Sequence, residues 1–121
     1  MVIMPLTIAA GTALSDSLEI SSHLQIVRIA MPTAWDAAPI TFSVSLDGVV
    51  WYDLHRAAAT AEGLWVSYEV GIKTVIPSSI MLLPSDAGAN INWLRFRSGT
   101  HSVPVEQSAD RVFKLVLEPT S

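Results

Sequence analysis

Alternation in the segment 92–98, NWLRFRS, puts Trp93, Arg95 and Arg97 on one side of an extended strand and Leu94 and Phe96 on the other. One indole and two guanidinium groups in a row suit two kinds of contact: stacking on sugar rings, and forked hydrogen bonding to carboxylates offered by a partner. The same row is equally well explained if the arginines pair inside the domain, with Glu69, Glu106 or Asp110 as the acids, or if the edge of a second sheet covers them. Trp51 and Trp65 share this ambiguity, because aromatic side chains in stacked sheets more often pack than bind. Trp35, in a loop rich in small residues, either caps one end of the core or joins the contact surface. The candidate residues for partner or glycan contact are therefore Trp93, Arg95, Arg97, Trp65 and Trp35.

Other chemistry finds little support. His23, His55 and His101 are scattered through turns, without the HExxH or His-x-His spacing that would gather them on one metal ion, and there is no cysteine. No GxSxG nucleophile elbow occurs, so the serines read as turn residues. Asp47 and Asp53 bracket a turn and invite comparison with paired glycosidase carboxylates, but turn chemistry already accounts for Asp47, and backbone hydrogen bonding is the common role for an acid placed like Asp53. The stretch Asp86–Asn90 has oxygen donors for calcium without the dense alternating acids of an established calcium loop. We expect no catalytic residue, no metal and no cofactor.

The elements that must position the candidate residues are short strands. In Ile40–Leu54, ITFSVSLDGVVWYDL, the residues Ile40, Phe42, Val44 and Leu46 alternate with Thr41, Ser43 and Ser45, and Asp47-Gly48 supplies a two-residue hairpin signal. An antiparallel sheet with its Thr41, Ser43 and Ser45 face in water is expected. Further strands are expected at Leu6–Ala9, Leu18–Ile20, Leu24–Ala30, Leu64–Val70, Ile80–Leu83, Asn92–Ser98 and Arg111–Glu118, the last with Phe113, Leu115 and Leu117 on one face. His55–Gly63 is alanine-rich and reads either as one helical turn or as a hairpin extension. The segment 103–109 looks irregular. About eight or nine short strands, frequent turns and no long helical period indicate an all-β fold, an antiparallel β-sandwich or jelly roll, with residues 1–121 forming a single domain.

Composition narrows the partners. Half of the 121 residues are hydrophobic and 15% are charged, lean beside the roughly 25% of an average soluble domain, so part of the apolar surface is expected to lie against a partner. A net charge of -4 offers no field to gather nucleic acid or anionic lipid. The apolar start, MVIMPLTIAA, lacks a basic leader, contains Pro5 and breaks at Gly11, so it reads as a first strand; no stretch is long enough to span a bilayer. Neither nucleic acid nor membrane is expected as a partner.

The order SVSLDGVVWYDL, NWLRFRSGT, PVEQSADRVFKLVLEP resembles small virion-associated structural proteins of tailed bacteriophages and prophages, over most of the chain. The Ser45, Asp47, Gly48, Trp51 element, followed by Trp93, Leu94, Arg95 and Phe96, is also similar to discoidin-like, galactose-binding-like jelly rolls. The phage resemblance implies a non-enzymatic virion protein, made in the bacterial host cytoplasm and placed on the capsid surface as a decoration protein. It further implies the major capsid protein or another virion protein as partner, and a homo-oligomer, with a trimer as one expected form. The jelly-roll resemblance implies the alternative, a carbohydrate-binding module of a fibre or spike that recognises a host surface glycan.

Overall fold

The computed structural model describes residues 1–20, 23–83 and 92–120; the Ser85–Asn90 loop, and with it the calcium donors weighed at Asp86–Asn90, lies outside the described residues. The protein is all-β, with no helix among the described residues. In chain order the strands are β1 (Val2–Ile8), β2 (Leu18–Glu19), β3 (Leu24–Ala30), β4 (Ile40–Ser45), β5 (Trp51–Asp53), β6 (His55–Ala59), β7 (Trp65–Glu69), β8 (Gly71–Ile72), β9 (Ile80–Leu82), β10 (Trp93–Ser98) and β11 (Arg111–Pro119). One sheet has the order β1-β11-β3-β9, the other β2-β10-β4-β5 with β8 also paired to β4, and β6 and β7 form a two-stranded ribbon of their own. All pairings are antiparallel. The chain changes sheet at most connections, so each sheet is assembled from strands distant in sequence.

The sandwich closes because one face of each sheet is apolar at period two. Leu6, Ile8, Ile29, Phe113, Leu115 and Leu117 from the first sheet meet Ile40, Phe42, Leu94 and Phe96 from the second, all at most 9% exposed. Burial of this size stabilises the fold by roughly 1.5–3 kcal/mol per large side chain. Strand β3 breaks strict alternation: its register against β11 slips between Val116 and Leu117, leaving Val27 as the extra residue. That bulge lets Ile26 and Ile29, three apart, both face inward. A run of edge-to-face rings crosses the core. Trp35 meets Phe113 at 5.6 Å, Phe113 meets Phe96 at 5.1 Å, and Phe96 meets Phe42 at 5.2 Å. Each such contact adds roughly 0.5–1.5 kcal/mol to simple burial.

A buried amide anchors the Trp35 loop. Gln107 is 0% exposed. Its Oε1 accepts from the Asp36 amide at 2.9 Å and from Arg111 Nε at 3.0 Å; its Nε2 donates to the Asp36 carbonyl at 3.0 Å and to Ser98 Oγ at 2.8 Å. The Asp36 carboxylate accepts from the Ser108 amide and hydroxyl and from Arg111 Nη2. The Ser108 hydrogen bonds, supported by the Arg111 charge, hold its pKa below the ordinary carboxylate range.

Two expectations need correction. The Asp47-Gly48 signal does not make a two-residue hairpin: Ser45 pairs with Trp51 across a five-residue loop, 46–50. In that loop Asp47 Oδ1 accepts from the amides of Val49 and Val50, Ser45 Oγ accepts from that of Gly48, and Gly48 takes φ +81°. The two amide bonds to Asp47 lower its pKa. A two-residue turn would pair Val44 with Trp51 and send the indole coreward; the register present puts Trp51 beside Ser45, on the opposite face. Second, that face is not wet. Thr41, Ser43 and Ser45 are 3%, 2% and 2% exposed, because long side chains from β10 and β5 lie over these short ones. Of the two readings of the alanine-rich segment, the hairpin extension is the one present: residues 55–59 form a strand, since their hydrogen-bond partners arrive from residues 65–69.

Candidate functional site

The register across β10, β4 and β5 builds the candidate surface row by row. Trp93, Ser45 and Trp51 lie abreast, then Arg95, Ser43 and Asp53, with Arg97 beside Thr41 in the next row. Period two aims all of these side chains away from the core. The central column is short, so the flanking residues fold inward over it. The Arg95 guanidinium lies 3.9 Å from the Trp51 ring centroid. The Trp93 indole covers Gly48, where a Cβ would come within 2.8 Å of the ring.

The two arginines are in different electrostatic states. Arg97 donates to Asp53 Oδ1 at 2.6 Å through Nη2 and to Glu69 Oε2 at 3.2 Å through Nη1. Its side chain is 13% exposed and those of the acids 21% and 19%. Burial alone would raise the Asp53 pKa, but the Arg97 hydrogen bond and charge, with His101 and His55 nearby, bring it below the ordinary carboxylate range. Arg95 has no acidic partner among the described residues. The side-chain hydrogen bond it makes among the described residues, Nη2 to Ser43 Oγ, is 3.4 Å long, and its Nε is closed off from water with no acceptor. Burial first, and then the Arg97 charge, pull its pKa below the usual arginine range.

Asp53 also sits 2.6 Å from His101 Nδ1. This is two-thirds of a Ser-His-Asp arrangement, yet no hydroxyl bonded to the other ring nitrogen completes it among the described residues. Nor do three metal-ligating side chains gather anywhere among them. Among the described residues no helix is long and apolar enough to cross a membrane.

Beside this surface stands the β6–β7 ribbon. Its base is tied down: Leu54 donates to the Phe42 carbonyl, Val70 to the Leu54 carbonyl, and Glu69 is held by Arg97 and the His101 amide. Beyond the base it is open. Trp65 is 72% exposed, Leu64 67%, Val66 52% and Tyr68 50%. The tip, residues 60–64, turns through Gly63 at φ +79° and carries Glu62. With five paired rows the arm is roughly 17 Å long.

The structure thus brings Trp93, Arg95 and Arg97 together on one face, as the alternation implied. It sends Trp65 to the arm, and it engages Trp35 in the core, where Nε1 donates to the Ala38 carbonyl at 3.0 Å. Of the acids weighed for the arginines, Glu69 is used. Asp53 was missed as an arginine partner because its position beside a turn signal suggested only backbone contacts. No family model, curated protein or solved structure matches the chain.

Proposed function

We propose that the chain is a non-enzymatic structural protein of a tailed-phage virion, a decoration subunit that docks on the head shell. The observation that carries this reading is the β6–β7 arm, a two-stranded ribbon standing off the sandwich with Leu64, Trp65, Val66 and Tyr68 each at least half exposed. A lone ribbon is marginal in water, and its outer strand edges leave backbone groups unpaired. Contact with a neighbour supplies what the ribbon lacks. Repeated on a lattice, such contacts hold even when each one is weak.

The glycan-binding alternative has fewer residues to use. The Trp51 ring is covered by Arg95, Trp93 lies on Gly48 and Trp35 packs against Phe113, which leaves Trp65 as the open indole.

Quantitative mass spectrometry of purified source particles tests the proposal. A copy number of the same order as the major capsid protein is expected, falling at least tenfold when residues 57–67 are replaced by a two-residue turn. A handful of copies per particle would refute shell decoration. Full incorporation of the shortened chain would refute docking through the arm.

A further inference from the structure

We propose that Arg95 is one half of an ion pair between copies of this chain, and that the other half is Glu62, carried on the arm tip of a neighbouring copy. The inference rests on the assembly reading above and names the partner and the chemistry of one contact.

Arg95 lacks what the neighbouring arginines possess. Arg97 holds two carboxylates, and Arg111 holds Asp36 and Gln107. Arg95 is half-buried, close to a second positive charge, without an acid among the described residues, and with Nε sealed from water and unbonded. A guanidinium in that position is a source of instability until an anion arrives. Its hydrogen bond to Ser43 uses Nη2, which leaves Nη1 to take an incoming oxygen. The Trp51 ring beneath fixes the plane of the guanidinium, which limits the ordering needed on binding.

The acid can be named by elimination among the described residues. Asp16 and Asp110 accept backbone amides, Asp36 and Asp47 are engaged in their own loops, Asp53 and Glu69 belong to Arg97, and Glu118 meets the N-terminal ammonium. Glu19, Glu62 and Glu106 are the remaining carboxylates. Glu19 pairs with Trp93 and so belongs to the receiving face itself, and Glu106 lies in the 105–110 loop, whereas Glu62 is the one presented on a projecting element. Three residues further on, the arm carries Trp65, on the same ribbon face as Glu69. An arm crossing a neighbour's outer sheet therefore delivers a carboxylate to Arg95 and an exposed indole to the Trp51 and Trp93 rim in a single contact. Because arm and receiving face are different surfaces, the contact closes either as a reciprocal pair or as a small ring.

The test is sedimentation equilibrium on the full chain, wild type beside Arg95→Glu, Glu62→Arg and the double exchange, with near-ultraviolet circular dichroism as the folding check. Glu62 is exposed at the tip, so Glu62→Arg leaves the sandwich intact whatever happens to Arg95→Glu. Each single variant is expected to weaken self-association about tenfold or more, and the double exchange to recover it to within about threefold. A Glu62→Arg chain that associates like wild type, or a double exchange that recovers nothing, overturns the pairing. A wild-type chain that stays monomeric at about 0.5 mM, far above the micromolar range of ordinary specific complexes, overturns it too. The particle copy number, measured separately, decides the decoration reading independently of this result.

Discussion

Replacing Arg97 by methionine is the sharpest probe of how the arm is held. The substitution keeps the apolar stem but deletes the group that joins β10 to Asp53 on β5 and to Glu69 at the base of β7. A fully buried ion pair broken from one side costs roughly 3–5 kcal/mol, and an exposed one at most about 1 kcal/mol. Here the three side chains are 13%, 21% and 19% exposed, and two neighbouring carboxylates are left without their shared cation. We therefore expect a loss of about 2–3 kcal/mol, which moves the urea midpoint down by about 1–2 M for a slope near 1.5 kcal/mol/M. Tryptophan fluorescence follows the transition, and hydrogen exchange of residues 55–69 reports whether arm amides lose protection first. Arg97→Lys should recover only part of the loss, since one ammonium cannot reproduce the forked contact. A change below about 0.5 kcal/mol, the size of an ordinary surface substitution, with unchanged arm protection, would refute the view that this pair fastens the arm.

Asp53 adds a pH signature: its folded pKa lies below its ordinary value of 3.8, so its contribution is complete above the unfolded pKa and disappears as pH falls through the folded one. Asp53→Asn should therefore destabilise the chain at pH 7 and progressively less below about pH 4; a constant difference from pH 7 to pH 3 would argue against the charged pair. Gln107→Met should cost about 3–5 kcal/mol, because Ser98 and Arg111 are left with buried polar groups unsatisfied; chemical denaturation showing less than about 1 kcal/mol would mean that water replaces the amide. Gly48→Ala should cost about 1–2 kcal/mol through its positive φ and the 2.8 Å approach to Trp93, with a shift in tryptophan emission as the indole lifts; unchanged emission would mean that the loop, not the ring, gives way.

What the sequence disclosed followed the range of the forces involved. Period-two burial is a local signal, so the faces of β10 and β11, down to Phe113, Leu115 and Leu117, could be read directly. The bulge at Val27 and the register of β4 with β5 could not, because a partner strand decides which residue is extra and which pairs. The Thr41, Ser43 and Ser45 face looked wet because hydroxyl side chains are polar, yet whether they meet water depends on the arginines and tryptophans beside them. At the candidate site the residue types and their shared face were legible. Their electrostatic states were not: Arg97 finds its acids 44 and 28 residues away, whereas Arg95, two residues earlier and identical in type, finds none among the described residues.

The place of β11 in its sheet bears on how the protein is made. The strand lies between β1 and β3, which do not pair with each other, so a chain still leaving the ribosome has both flanks of the sheet and no centre until residues 111–119 emerge. The other sheet likewise waits for β10, which separates β2 from β4. The arm is different, since its two strands adjoin in sequence and a short ribbon closes within about 1–10 µs. Its base is fastened first by the Leu54 and Val70 backbone bonds and then by Arg97, a residue of β10, so the last of its fastenings arrives when the sandwich is nearly complete. Synthesis order thereby leaves both sheets incomplete, and their apolar faces uncovered, until the last third of the chain has emerged.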